Sequence, residues 1–347
     1  MRILGRDDVR AALDGLDPLV LDAVRDAYLL HGRGDSNLPF SSFLRPPRPA
    51  GSRIISLPAY LGGDEPVMGL KWISSFPANV AQGLQRASSV QILNDLTTGY
   101  PVALLEGSRI SASRTAASAA LASRALRGDR PGRTASLVGC GTINLRVLDF
   151  LALTHPELET VVLQDAVPGR AQYLAAELAA EHPRLTFRAG GLDEALAAPV
   201  VSVATTDSGY WLDLADHRDR PAGQVILHLS LRDLSVDSVL GAYNVVDDAD
   251  HAIREQTSLH RAEQAVGHRE FVHQEIAAVL GGEAPAASAG QTVVFSPFGL
   301  GVLDLAVARA VLRAADRAGL GTEADGFDPG DHRATSGAGG RGAGVTA

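Results

Sequence analysis

Apolar residues recur at helical spacing through Asp7–Leu30, with an interruption near Gly15 and Pro18, and so predict two consecutive helices. The pattern then shortens. Phe40–Leu44, Arg53–Leu57, Val67–Ser74, Ser88–Asn94 and Val102–Glu106 are brief β-prone runs between Pro- and Gly-containing turns, the texture of an antiparallel, hairpin-rich sheet. An Ala- and Ser-rich helix follows over Ser111–Leu126, and Arg127-Gly128-Asp129-Arg130-Pro131-Gly132 marks a boundary.

Beyond that boundary strands and helices alternate. Ala135–Val138, Val161–Gln164, Leu185–Arg188, Pro199–Thr205, Gln224–Leu229, Asn244–Asp247 and Thr292–Phe295 have strand character. An apolar stripe of Ile143, Val147, Phe150 and Leu151, the amphipathic run Gly169–His182 and the segment Leu300–Ala318 have helix character. The expected fold class is α/β, a Rossmann-type doubly wound parallel sheet, plus an N-terminal α+β unit completed by a C-terminal helix. The expected division is residues 1–127 with 300–320 returning to them, 128–299, and a disordered Gly- and Ala-rich tail, 321–347.

The most informative segment is Gly139-Cys140-Gly141-Thr142-Ile143-Asn144, between a strand and a helix, with Asp165 closing the next strand. A tight Gly-x-Gly turn opening a helix offers free backbone N–H groups to a pyrophosphate, and a carboxylate after the second strand suits a ribose hydroxyl. Asn144 replaces the third glycine of the usual pattern, and the acid comes 165 − 139 = 26 residues on, where about 20 is usual. The context predicts a dinucleotide site, with the acid favouring NAD over NADP. Cofactor-binding candidates are Gly139, Gly141, Thr142, Ile143, Asn144 and Asp165, with Thr205 and Thr206 bordering at the end of another strand.

With 347 residues, 46% of them hydrophobic and 20% charged, the chain has the composition of a soluble globular protein large enough for two cores. Its formal charge of −9 argues against nucleic acid or an anionic membrane as main partner. A lone cysteine, Cys140, excludes an intrachain disulfide framework and a cysteine-based zinc site. No apolar run follows Met1-Arg2 as in a secretory signal and none is long enough to span a bilayer, so a cytoplasmic protein is expected.

Four residues carry candidate chemistry. Lys71 interrupts the apolar strand-like run Met68–Ile73, where it would meet a substrate carboxylate or, desolvated, act as a base; otherwise it is an edge-strand lysine with its head in water. Arg114 sits among small residues near the expected start of a helix, where a bound carboxylate would meet both the guanidinium and free N–H groups; the alternative is a solvent-facing arginine. His228 ends a strand where ligands collect in open α/β sheets, or is a packed histidine. Asp233 is a candidate base, or a first-turn acid of the helix Val236–Leu240. The histidines form no metal-like pair, so no metal is expected.

Gly69-Leu70-Lys71-Trp72-Ile73, Arg114-Thr115-Ala116-Ala117-Ser118, Gly139-Cys140-Gly141 and Gly299-Leu300-Gly301-Val302-Leu303-Asp304-Leu305-Ala306 together resemble the ornithine cyclodeaminase/μ-crystallin family, in the family's order and up to about Leu320. Lys71–Pro77, Ala87–Asn94, Leu104–Ser108 and His228–Asp233 resemble its 2,3-diaminopropionate branch. The resemblance implies NAD-dependent oxidation of N-(1-amino-1-carboxyl-2-ethyl)-glutamate and hydrolysis of the imine to 2-oxoglutarate and L-2,3-diaminopropionate, a precursor of siderophores and peptide antibiotics. It implies substrate binding by Lys71 and Arg114, with Arg45 or Arg53 as a further arginine, Arg45 being preferred. Ser230 and Gly299 would border the nicotinamide, the base would be Lys71, His228 or Asp233, and the molecule would be a homodimer. The family's Gly-x-Asp-x-Pro-Gly segment is replaced here by Ser230-Leu231-Arg232-Asp233-Leu234, which separates this chain from the ornithine cyclodeaminases. An amino-acid or ketimine dehydrogenase and a non-catalytic ligand-binding relative are the other readings.

Overall fold

The computed structural model describes residues 1–128, 130, 132–284, 287 and 290–327. Two eight-stranded sheets organise them. In the first, the strands Arg53–Leu61, Val67–Ser75, Ala87–Asn94 and Pro101–Glu106 are successive antiparallel neighbours, as the short β-prone runs predicted. Arg2–Leu4 adds to Pro101–Glu106 in parallel, and Ser36–Asn37 and Ser42–Leu44 both pair with Arg53–Leu61.

Alternation gives this sheet two unlike faces. Leu57, Ala59, Lys71, Gln91, Leu93, Ala103 and Leu105 point to a buried face, against which pack the helices Asp17–Gly32, Ser108–Arg127 and Gly301–Ala318. The opposite face leaves Trp72 41%, Val90 37% and Val102 42% exposed.

The second sheet is parallel throughout, in the order Thr186–Ala189, Thr160–Gln164, Thr134–Val138, Val200–Val203, Val225–His228, Val293–Phe295, Tyr243–Val246, Val272–Glu275. Its inner strands are almost unbroken Val, Ile and Leu because both faces are covered. The chain runs outward in one direction from Thr134–Val138 and then returns to start at Val200–Val203 on its other side. The crevice between these two strand ends is the switch point at which open α/β sheets bind ligands.

Two expectations need correction. The tail does not begin at Gly321: Thr322–Glu323 is a strand antiparallel to Arg2–Leu4, and the Met1 amino group donates to the Ala324 carbonyl at 3.0 Å. An edge strand with open N–H and C=O groups recruits the returning chain, which no apolar pattern announces. Residues 328–347 of the expected tail lie outside the described residues. The second correction is that the Ala-rich helix starts at Ser108, so Arg114 lies in its second turn and not beside the free N–H groups of its first. Among the described residues no helix is long and apolar enough to cross a membrane.

Candidate active site

The glycine turn is built as its sequence predicts. Gly139 has φ +84°, and a Cβ there would sit 2.5 Å from the Ala204 carbonyl oxygen, so only glycine lets this turn press against the neighbouring strand end. Around Gly141 nothing lies within 4 Å of such a Cβ, leaving the approach open. The helix Thr142–Thr154 follows with an uncapped first turn, whose N–H groups at Thr142 and Ile143 are free of helical partners. Asp165 lies beside the turn, accepting the N–H of Cys140 at 2.8 Å and of Val167 at 2.8 Å, with Arg170 at 3.8 Å. A carboxylate has lone pairs to spare beyond these two bonds. The cradle therefore fits a dinucleotide: open N–H groups for the pyrophosphate and an acid for a ribose.

Asn144 has a different part from the one expected. Its side chain is fully buried and its amide donates to the carbonyls of Val138 (3.0 Å), Gly139 (2.7 Å) and Ser202 (3.1 Å), while its oxygen accepts from the Ser202 hydroxyl at 2.6 Å. It stitches the turn to the next strand. Cys140 packs beneath; burial and then the Asp165 charge push its thiol up to about 12, so it is no nucleophile.

His228, Ser230, Asp233 and Thr205 come together as one buried network. The Asp233 carboxylate accepts from the hydroxyls of Thr205 and Ser230, each at 2.5 Å, and from the Trp211 indole at 3.3 Å. His228 places Nε2 3.2 Å from the same carboxylate, where it also accepts the Asp233 backbone N–H at 3.3 Å, and Nδ1 3.0 Å from the Ser296 hydroxyl. Burial works to raise the Asp233 pKa, but the His228, Ser230 and Thr205 contacts outweigh it and hold the group below the usual carboxylate range. A carboxylate so occupied is a poor base. Thr206, by contrast, is exposed beside this network.

A second cluster faces it. Lys71 is 2% exposed and its Nζ donates to Asp304 Oδ2 at 2.6 Å. Arg114 Nε lies 3.2 Å from Asp304 Oδ1, a charge contact whose N–H is not aimed at the oxygen, so both atoms remain without a hydrogen bond. Gly299 covers Arg114: with φ +96°, a Cβ there would sit 2.8 Å from the guanidinium. Gly299 thus packs directly on the Arg114 guanidinium. Asp247 fixes it by accepting the N–H groups of Phe298 (2.8 Å) and Gly299 (2.7 Å). Burial, and next the Arg114 charge, lower Lys71 to about 8, with Asp304 opposing.

Sequence reasoning missed three members of this site: Asp304, Asp247 and Gln91. Asp304 had a signal, a carboxylate inside the otherwise apolar stretch Gly301–Val307. Gln91 pairs in register with Lys71 and is fully buried with neither amide atom hydrogen-bonded. Polar atoms without a protein partner on Gln91, Arg114, Asp304 and the neighbouring Ser89 crowd one place, an arrangement that costs stability unless water or a polar ligand joins it. Arg45, the preferred further arginine, is 55% exposed and ion-paired with Glu255, whereas Arg53 is half-buried with its Nε unpartnered. Among the described residues no group of three or more His, Cys, Asp or Glu is placed to hold a metal.

A parallel doubly wound sheet with a dinucleotide cradle at its switch point, facing a polar cleft on a second sheet, defines a Rossmann-type α/β protein for small charged molecules. Within that class the chain belongs to the ornithine cyclodeaminase/mu-crystallin family, whose model matches residues 20–208. It is 27% identical over 336 residues to N-((2S)-2-amino-2-carboxyethyl)-L-glutamate dehydrogenase of Staphylococcus aureus, covering 93% of this chain and 97% of that protein. Among solved structures, CmnK is 28% identical with a TM-score of 0.83, covering 93% and 97% of the two chains. The Δ1-pyrroline-2-carboxylate reductase of Thermococcus litoralis shares the fold at TM-score 0.85 and 22% identity, covering 93% and 100%. The family resemblance carried by Gly69–Ile73, Arg114–Ser118 and the glycine turn is borne out.

Proposed function

We propose that this protein is an NAD-dependent oxidoreductase that oxidises the CH–NH bond of N-((2S)-2-amino-2-carboxyethyl)-L-glutamate and releases 2-oxoglutarate and L-2,3-diaminopropionate. The observation that carries the reading is the buried Lys71–Asp304–Arg114 cluster with its unpaired polar atoms, set between the covered sheet face and the dinucleotide edge. The likeness to the Staphylococcus aureus dehydrogenase over nearly the whole chain supports the substrate. In this reading residues 1–127 with 300–320 hold the substrate, and residues 128–299 hold NAD.

The Gly139–Ile143 turn and Asp165 would hold NAD⁺, which would supply the hydride acceptor for the glutamate α-carbon. Arg114 presents its guanidinium to the α-carboxylate, and Gln91 supplies a donor and an acceptor beside it. Lys71, with a pKa of about 8, is neutral in roughly one molecule in ten at pH 7, enough to take the proton that the secondary ammonium must lose. Asp304 holds the lysine in place and stabilises the ammonium that forms. The reprotonated Lys71 can return that proton to the departing amine once water has added to the imine. The His228–Asp233 pair and Ser230 shape the floor of the cleft.

A homodimer through the exposed sheet face around Trp72 and Val90, which pair with each other in register, completes the proposal. The test is to supply NAD⁺ with either the glutamate conjugate or L-ornithine and to follow NADH and products. NADH with 2-oxoglutarate from the first supports the reading; proline and ammonia from ornithine, with no net NADH, would replace it with cyclodeamination.

A further inference from the structure

Four arginines gather at one end of the cleft. Arg53 begins the strand Arg53–Leu61 and pairs with Ser75; Lys71 pairs with Leu57 on the same two strands. Residues 53 and 57, like 71 and 75, point to one face, so Arg53 projects on the Lys71 side, four residues or about 13 Å further along at 3.3 Å per residue. Arg86, whose carbonyl accepts the Phe76 N–H at 2.8 Å, comes one residue before Ala87, the partner of Ser75, and so stands at the same end of the sheet as Arg53. Arg232 comes from the loop after the strand Val225–His228 and donates to the Glu255 carbonyl at 2.6 Å, and Arg45 pairs with the Glu255 carboxylate.

The balance of charge here is uneven. Arg53 feels the charges of Arg232, Arg86 and Arg45 against that of Glu255, Arg86 feels that of Arg232, and Arg232 itself is opposed by Glu255 and Asp233. Arg53 Nε is buried without a partner, and neither Arg53 nor Arg86 makes an ion pair among the described residues. Burial first, and the neighbouring arginines next, push both guanidiniums below their ordinary range. Half-buried guanidiniums that outnumber Glu255, which is already ion-paired with Arg45, repel one another, and their planar forks match a carboxylate.

We infer that Arg53, Arg86 and Arg232 form a second anion subsite, which takes the distal carboxylate of a dicarboxylic substrate whose first carboxylate sits at Arg114 and Lys71. The inference rests on the proposed reaction for its substrate, and there the ligand is the γ-carboxylate of the glutamate portion. The other free carboxylate of that molecule carries an ammonium on the adjacent carbon, which three arginines repel. The same repulsion disfavours the cationic side chain of ornithine.

The test uses the full-length protein with NADH and titrates 2-oxoglutarate against 2-oxopentanoate, the same chain without the distal carboxylate. Wild type is expected to bind 2-oxoglutarate at least tenfold more tightly, the order set by charge-assisted hydrogen bonds. Arg53→Met and Arg86→Met should each collapse that ratio towards one while leaving 2-oxopentanoate and NADH affinity in place. Equal affinity of wild type for the two acids overturns the subsite, and this needs no variant to fold. So does an equal loss of both acids in the variants. A strong preference for 2-oxoglutarate in a protein that does not turn over the glutamate conjugate would keep the subsite and remove the proposed reaction.

Discussion

Replacing Asp304 by asparagine isolates the electrostatics of the buried lysine. Asp304→Asn preserves shape and an acceptor oxygen for Lys71 but removes the charge 2.6 Å from its Nζ. Burial and Arg114 both depress Lys71, and Asp304 opposes them through its charge and hydrogen bond. Without it the lysine pKa falls below about 8. Two unit charges about 4 Å apart interact by roughly 4 kcal/mol at an effective dielectric of about 20. At about 1.4 kcal/mol per pH unit that corresponds to a fall of roughly three units for full removal of the charge, and the amide dipole that remains reduces it. We expect a fall of one to two units (order of magnitude).

The assay is kcat/KM for the glutamate conjugate from pH 5 to 10 at saturating NAD⁺. If neutral Lys71 is the base, activity in wild type rises through an inflection near 8 and is lost as pH drops, because protonation fills the base. In Asp304→Asn the inflection should lie below about 7. The ionisation of the substrate is common to both proteins, so the difference belongs to the enzyme. Lys71→Met should remove the inflection and about 10²–10⁴ of the rate. An Asp304→Asn profile that keeps its inflection at 8, or moves upward, in a protein that still binds NADH refutes Lys71 as a base tuned by Asp304.

Gly139→Ala should weaken NADH binding at least about tenfold in a fluorescence titration, because its Cβ would meet the Ala204 carbonyl at 2.5 Å; unchanged affinity would show that the cofactor lies elsewhere. Asp165→Ser should raise NADP affinity relative to NAD by about tenfold or more, since it removes a carboxylate that repels a 2′-phosphate and leaves Arg170 close by; an unchanged ratio counts against that acid as the ribose ligand. Asn144→Ala removes the amide bonds to the Gly139 and Ser202 carbonyls and the acceptor of the Ser202 hydroxyl, while the Val138 carbonyl keeps the Ala204 N–H; it should cost about 2–4 kcal/mol, read as a lower midpoint in denaturant; a loss under 1 kcal/mol (roughly) would mean that water replaces the amide. Trp72→Asp places a charge on the exposed sheet face and should yield monomers in sedimentation; an unaltered dimer would place the interface on another surface.

Much of this molecule was legible along the chain. Period-two and helical patterns report which face of an element is buried, so the hairpin sheet, the parallel strands and the glycine turn followed from sequence alone. Lys71 stood out as a charge within an apolar strand-like run, but the pattern left open whether its head met water; the structure puts it on the covered face. Local patterns carry no information about which distant elements touch, and the site is made of such contacts. Lys71 and Asp304 are 233 residues apart and meet only because the helix Gly301–Ala318 lies on the first sheet. Arg114 looked like a helix-start arginine until the helix proved to begin at Ser108. Asp233 and His228, candidate bases in sequence, neutralise each other's availability by pairing across five residues at a strand end. Asn144, at a glycine position of the usual motif, became a brace because Ser202 stands opposite it. The arginines at 45, 53, 86 and 232 are scattered in sequence; strand pairing within the first sheet gathers the first three, and the loop after Val225–His228 brings Arg232 to them. Periodicity, being local, settled the elements and their faces; partners for buried charge, being set by packing across hundreds of residues, were decided by the tertiary structure.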